Sequence, residues 1–356
     1  MILTRGFPMP GRLTRFTTAS VRTANQWHFA MLNDVERADA YRRAMATHIV
    51  HNKTTVLEIG AGSGLLSMLA ATLGARQVWA IEGNPDFAGI ARSIIDANGL
   101  ASRICVIDAV STEVQLGTGP ASLPERPDLL VAELLGTTLD GESQLDYVND
   151  VRRRLCRADT IVLPTAGAQF VSLMESPALA SLTSVHTSAS HYLGLNLSGF
   201  NALRDTATTS LSRPLGVRLN DLGVRRLAPR LRILEVDFTR PAREAYRARG
   251  HGAAYRVRAE RAGRLHAAVF SWEAYLDVAR GVTLSTHPEH TRNNTPRDVA
   301  WGHAVQLLED AERNTAYIAV KAGELLRVNV YFGNFSAAMP AVTVARVPEE
   351  RANWGV

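Results

Sequence analysis

Val56-Leu57-Glu58-Ile59-Gly60-Ala61-Gly62-Ser63-Gly64-Leu65-Leu66-Ser67 reads as an apolar strand that breaks at three alternate glycines and restarts as a helix. A short apolar run bounded by glycine predicts a buried strand, and the Ala- and Leu-rich stretch from Leu65 to Leu73 predicts the helix behind it. Glycines at such a turn let the backbone approach a ligand closely. Eighteen residues past Gly64 a second strand, Val78-Trp79-Ala80-Ile81, ends in Glu82, well placed to accept hydrogen bonds from ribose hydroxyls. A glycine turn followed by an acid is also the dinucleotide fingerprint. That fingerprint needs a glycine where this chain has Leu65, and it lacks the acid that this chain carries two residues before its first glycine, Glu58. Strand, turn, helix and strand in this order predict an α/β domain with an open parallel sheet.

Further along, Asp128-Leu129-Leu130-Val131-Ala132-Glu133-Leu134-Leu135-Gly136-Thr137-Thr138-Leu139-Asp140-Gly141-Glu142-Ser143 places two glutamates nine residues apart across a glycine-bearing loop. The first ends an apolar run that predicts a buried parallel strand, and the second opens a predicted helix. Open α/β sheets place their ligands at the carboxyl ends of strands. Two carboxylates delivered there form an anionic fork, and guanidinium matches such a fork in shape and charge. A purely structural role stays open at this point: Asp140 and Glu142 suit a helix N-terminus, and Glu133 suits a solvent-facing strand end.

In Met31-Leu32-Asn33-Asp34-Val35-Glu36-Arg37-Ala38-Asp39-Ala40-Tyr41-Arg42-Arg43-Ala44-Met45, helical spacing puts Asp34, Arg37 and Tyr41 on one face. Together with the glycine turn, Glu82 and the glutamate pair, this stretch resembles the protein arginine methyltransferases, class I enzymes dependent on S-adenosylmethionine. The resemblance is clear from about Trp27 to Ser176 and patchy beyond. It implies a Rossmann-like methyltransferase domain followed by an antiparallel β-barrel with an inserted dimerisation arm. It also implies S-adenosylmethionine held by Arg37, Glu58, Gly60, Gly62, Gly64 and Glu82, with Ser111 and Thr112 of the segment Val110 to Val114 at the adenine edge. Glu133 and Glu142 are then the catalytic pair, and Met31, Asp34, Gln144 and Trp301 line the substrate side. Thr160-Ile161-Val162-Leu163-Pro164 resembles the family's crossing between domains. This gives residues 1–45 as arm and covering helix, 46–164 as the cofactor domain, and 165–356 as the barrel, with the dimerisation arm at about 177–213. The most similar branch is type III, whose members stop at monomethylarginine, and Gln144 is bulky enough to crowd a second methyl.

One loop departs from the family pattern. The family carries Thr-His-Trp late in the barrel, its histidine paired with the helix aspartate. Here Val299-Ala300-Trp301 keeps the tryptophan and lacks that histidine, leaving His303 or His287 to meet Asp34.

The remaining sequence fits two domains in 356 residues. No apolar run reaches transmembrane length, and the first thirty residues are broken by Arg, Pro and polar residues, so neither a membrane span nor a signal peptide is expected. The acid-free residues 1–33 read as an arm that orders over bound cofactor. Cys105 within an apolar strand and Cys156 after a helix predict buried thiols in a reducing compartment, hence a cytoplasmic protein. Past Pro164 the strands shorten and alternate, as in Gln169 to Leu173, Leu231 to Phe238, Ala267 to Glu273, Thr315 to Val320 and Leu326 to Phe332. Residues 225–264 hold twelve arginines against four acids, but they alternate as solvent-facing strand residues do and no nucleic-acid motif accompanies them. No nucleic-acid partner is expected. His287-Pro288-Glu289-His290 lacks the further ligands a metal site needs, so none is expected.

Charge bears on the substrate. At net +5 and a pI near 9.5, with an arginine-dense second half, the chain repels a basic peptide more than a zwitterion. The sequence is accordingly read as an N-methyltransferase of free L-arginine, similar to bacterial type III-like enzymes of specialised metabolism that lead to nitrosoureas such as streptozotocin. Peptidyl arginine is the alternative. A non-catalytic scaffold is a third reading, opposed by the presence of Glu82, Glu133 and Glu142. A homodimer is expected.

Overall fold

Apolar strands separated by helical stretches bury both strand faces, and in this chain a β-rich stretch of more alternating strands follows them. The computed structural model describes residues 26–181, 185, 191–192, 195–203, 219, 222–241, 252–287, 301–310, 313, 315–332 and 340–347. The chain divides into two compact units, residues 1–131 with 154–160, and residues 132–153 with 161–356.

In the first unit, helices α1 (Gln26–Asn33) and α2 (Val35–Ala46) precede β1 (Thr55–Ile59), α3 (Leu65–Thr72), β2 (Gln77–Glu82), α4 (Pro85–Ala97) and β3 (Ile104–Asp108). A short parallel pair, β4 (Gln115–Leu116) and β5 (Ser122–Leu123), leads to β6 (Leu129–Ala132). The strand order is β3-β2-β1-β6, with β1 parallel to β2 and β2 to β3. All five residues of β1 are buried, the mark of a central strand covered on both faces, and all four of β6 are buried as well. On α4, Ala88, Ala91 and Ile95 form the buried stripe at the helical period.

The second unit holds α5 (Gln144–Leu155) up to Arg153, β7 (Ile161–Leu163), β8 (Ala166–Glu175), α6 (Pro177–Ser181), β9 (His191–Tyr192) and β10 (Leu195–Asn196). Ten further strands follow: β11 (Arg225–Arg226), β12 (Leu231–Asp237), β13 (Gly252–Arg258), β14 (Gly263–Leu265), β15 (Ala267–Asp277), β16 (Val282–Ser285), β17 (Ala304–Leu307), β18 (Ile318–Val320), β19 (Leu325–Tyr331) and β20 (Ala341–Arg346). A six-stranded sheet centres on the antiparallel pair β8–β15, and β13-β19-β20 form a second sheet. In β19, Leu326, Val328 and Val330 are buried while Arg327 and Tyr331 are exposed, the period-two pattern of a strand with one wet face. Those residues join Val171, Leu173 and Phe270 in this unit's core. Arginines of the dense stretch pair locally with acids, Arg225 with Glu175, Arg230 with Glu273 at 2.9 Å and Arg240 with Asp237 at 3.1 Å.

Two expectations are corrected. Asp34 does not lie within a continuous helix: it caps α2, with φ −79° and ψ 85°, its carboxylate accepting from the Arg37 N–H. A short carboxylate satisfies the unpaired amides of a helix start better than it serves a helix interior. Cys105 is exposed, on β3 at one end of the strand order, and Cys156 is buried. Residues 1–25, Val299, Ala300, His290 and much of 177–213 lie outside the described residues.

Candidate active site

The first unit builds a turn that only glycine accommodates readily. Gly60, Gly62 and Gly64 have φ values of 70°, 55° and 79°, a region that strains any side chain. A Cβ at Gly64 would sit 3.1 Å from Ile95, so this glycine lets α3 lie close to α4; a Cβ at Gly62 would meet nothing within 4 Å. Glu82 fixes the turn from β2. It is 9% exposed, and its two oxygens accept from the backbone N–H groups of Gly62 at 2.7 Å and Asn84 at 2.8 Å. Asn84 in turn caps α4, accepting from Asp86 and Phe87 N–H at 3.0 and 3.3 Å.

Beneath the turn, Glu58 is 3% exposed and accepts from the Ser67 hydroxyl. Burial pushes its carboxyl up to about 8; the Ser67 hydrogen bonds and the Arg37 charge oppose the rise, and the Glu82 charge adds to it. Arg37 is buried on α2, its guanidinium reaching the Met31 carbonyl at 3.4 Å. Ser111 is buried and Thr112 exposed. Arg154 braces their segment, donating to the carbonyls of Ser111 at 2.8 Å and Val114 at 2.5 Å. Ser67, Asn84 and Arg154 escaped the sequence reading, although Asn84-Pro85 carries the signature of a helix start.

In the second unit Glu133 is buried and Glu142 exposed. Their loop folds back on itself: a Cβ on Gly136 would lie 2.8 Å from the Gly141 Cα, and one on Gly141 2.7 Å from the Gly136 Cα. At its base Leu134 N–H donates to Gln144 Oε1 at 2.9 Å, joining the limb after Glu133 to the limb after Glu142. Asp140 accepts from Leu145 N–H at 2.8 Å, closing the start of α5. Trp301 is buried and donates its indole N–H to the Leu135 carbonyl at 2.9 Å. His303 Nε2 lies 2.6 Å from the Thr286 carbonyl, so that ring donates within its own unit. The sequence-derived residues thus fall in two groups, a polar cradle around the glycine turn and a looped glutamate pair. Among the described residues no three His, Cys, Asp or Glu side chains are grouped to hold a metal, and no helix is long and apolar enough to cross a membrane.

Comparison with known proteins adds the following. Residues 43–142, which span the glycine turn and both glutamates, match the family described as ribosomal protein L11 methyltransferase (PrmA). The chain is 33% identical over 326 residues to an arginine N(omega)-methyltransferase of Streptomyces achromogenes subsp. streptozoticus, covering 90% of this chain and 80% of that one. It is 30% identical over 277 residues to protein arginine N-methyltransferase 7 of Drosophila ananassae, covering 74% of this chain but only 38% of the relative. A Trypanosoma brucei PRMT1 enzyme–prozyme heterotetrameric complex with AdoHcy shares the fold, with a TM-score of 0.67 at 21% identity, covering 90% of this chain and 98% of that one. Arabidopsis thaliana protein arginine methyltransferase 10 does so with a TM-score of 0.63 at 19% identity, covering 89% and 97%. The fold is therefore a Rossmann-like methyltransferase domain followed by a β-barrel.

Proposed function

This chain belongs to the arginine N-methyltransferase family and is an S-adenosylmethionine-dependent arginine methyltransferase; we propose that its substrate is free L-arginine and its product ω-N-monomethyl-L-arginine, in bacterial specialised metabolism. The similarity to the Streptomyces arginine N(omega)-methyltransferase, extending over 90% of this chain, carries this reading. The net charge of +5 supports it, since a basic peptide would meet repulsion that a zwitterion largely avoids. The relatives that act on protein arginine keep peptidyl substrate as the competing reading.

The residues of the first unit fit the cofactor. An open side at Gly62 offers backbone approach. Glu82 has used one acceptor position on each oxygen and keeps further lone pairs for a ribose diol. Arg37 suits the carboxylate of a methionine moiety, Glu58 lies beneath the turn of Gly60, Gly62 and Gly64, and Ser111 with Thr112 border the adenine. When bound, S-adenosylmethionine supplies a methyl already activated by its sulfonium.

What this chain must do is hold and orient. A guanidinium is protonated at neutral pH and its lone pairs are delocalised, which makes it a poor nucleophile. Glu133 and Glu142 grip one edge of it, draw positive charge toward the held nitrogens and leave one terminal nitrogen free to react. A single well-placed electrostatic group of this kind typically contributes about 3–4 kcal/mol. The proton leaves after transfer, so no strong base is needed beforehand; Glu142, being exposed, accepts it and passes it to solvent. Met31, Asp34, Gln144 and Trp301 line the substrate side in this reading, and Gln144 limits the product to one methyl. Residues 46–164 serve as the cofactor domain and 165–356 as the barrel, in a cytoplasmic homodimer. The insertion at 177–213 forms the dimer contact, with Leu195, Leu197 and Phe200 presenting apolar side chains.

Purified protein incubated with methyl-labelled cofactor should label free L-arginine well above an arginine-rich peptide. Equal or preferential labelling of the peptide would transfer the function to protein arginine.

A further inference from the structure

Side chains of the second unit hydrogen-bond the backbone of the glutamate loop at several points. Leu135 and Gly136 present consecutive carbonyls, and each receives an indole N–H, from Trp301 at 2.9 Å and from Trp272 at 2.8 Å. The two rings meet edge to face, 4.9 Å apart at 71°. Directly across the β8–β15 ladder from Trp272 stands Gln169. Its Oε1 accepts from Leu139 N–H at 2.8 Å, and its Nε2 donates to the Ser271 carbonyl at 2.9 Å. One cross-strand pair therefore grips the loop at two points. Thr286 braces the pair of tryptophans: its hydroxyl accepts from the Trp272 N–H at 2.8 Å, and its carbonyl meets His303, two residues beyond Trp301.

We propose that Trp272, Trp301 and Gln169 are positioning residues that hang the Glu133–Glu142 loop on the barrel and so preset its two carboxylates for the guanidinium before substrate arrives. The inference rests on the reading of those glutamates as the guanidinium fork. Its physical basis is a polar accounting. Gly136 and Gly141 force the loop to fold back, and a loop so folded offers carbonyls that no ladder satisfies. An indole is a donor only, so each tryptophan contributes one N–H of fixed direction from a rigid plate. Trp272, Trp301 and Gln169 are 0%, 8% and 2% exposed, so water does not readily replace them. Preset carboxylates avoid reorganisation when the charge must be held, which is where such sites gain rate.

A phenyl ring keeps much of the packing and has no donor for the hydrogen bond. Trp272→Phe and Trp301→Phe therefore separate the two roles, with Gln169→Met as a third, independent removal of a loop contact. The readouts are S-adenosylhomocysteine affinity by calorimetry and the single-turnover transfer rate at saturating L-arginine. Each substitution should lower that rate about tenfold or more while affinity stays within about twofold, because a buried acceptor loses its donor and the loop shifts. In a Glu133→Asp background, where the carboxylate is already displaced, the same substitution should cost less than about threefold. Saturated rates within about twofold of wild type, in variants that bind S-adenosylhomocysteine normally, overturn the proposal, as does a full additive loss in the Glu133→Asp background. If Trp272→Phe does not bind S-adenosylhomocysteine, the Trp301 and Gln169 variants decide the question. A wild-type protein that methylates no guanidine removes the fork reading itself, a result visible before any variant is made.

Discussion

Replacing Glu82 with alanine should damage two properties at once, and the structure gives the size of each. The carboxylate accepts from Gly62 and Asn84 N–H at 2.7 and 2.8 Å. Hydrogen bonds to a charged acceptor contribute about 1.5–3 kcal/mol each. Both amides lie in turns that water can reach after the change, so the net loss should be about 2–3 kcal/mol rather than the full sum. A strand-end acid of this kind holds the turn as well as any ligand. Thermal melts should fall by several degrees, since roughly 2–4 °C accompanies each kcal/mol in a domain of this size. Affinity for S-adenosylhomocysteine should fall about tenfold to 150-fold through loss of the charged contact to the ribose. Calorimetric titration and scanning calorimetry read the two effects separately. Glu113→Ala, an exposed acid in the same unit, should change neither. Unchanged affinity with lowered stability would refute the ribose role, and unchanged stability would refute the account of the turn.

Glu133→Gln and Glu142→Gln, which remove charge at nearly constant shape, should each lower transfer about a hundredfold or more with cofactor binding intact; more than a tenth of the wild-type rate in both contradicts the fork. Burial raises the Glu58 carboxyl from 4.5 to about 8, so its neutral form is the one the fold favours, and the stability it contributes is lost as pH rises between those values. Glu58→Gln should therefore melt progressively above wild type across that window, by on the order of a few kcal/mol at its top; parallel melting curves from pH 5 to 8.5 would rule this out. Light scattering at micromolar concentration should report a dimer, and a fully active strict monomer ends the dimer proposal.

Much of the fold was legible because its signals are local. Three alternate glycines after an apolar run, and acids at the two following strand ends, specify strand, turn and helix with little help from distant residues. Alternation marked β19 for the same reason, since one wet face leaves a period of two in the sequence, whereas β8 and β15 are buried along nearly their whole length. The misses are tertiary. An aspartate followed three residues later by arginine looks alike whether it starts a helix or sits inside one, so Asp34 was misplaced. The exposure of Cys105 depends on what packs over β3, which its own residues do not state. Trp272 and Trp301 reach the glutamate loop across 136 and 166 residues of chain, and no spacing rule announces such contacts. Gln169 reads as one polar residue in a strand, and its side chain accepts from Leu139 N–H thirty residues away.

The most direct measurement places L-arginine, L-argininamide and a capped arginine peptide in one reaction with the enzyme and S-adenosylmethionine, and resolves the products by mass. Free L-arginine should dominate as its monomethyl form. The amide, which loses a charge-assisted contact to the α-carboxylate, should react with a kcat/KM about thirtyfold to two-hundredfold lower. Amide or peptide methylated as fast as free arginine, or dimethylarginine as the main product, would contradict the account.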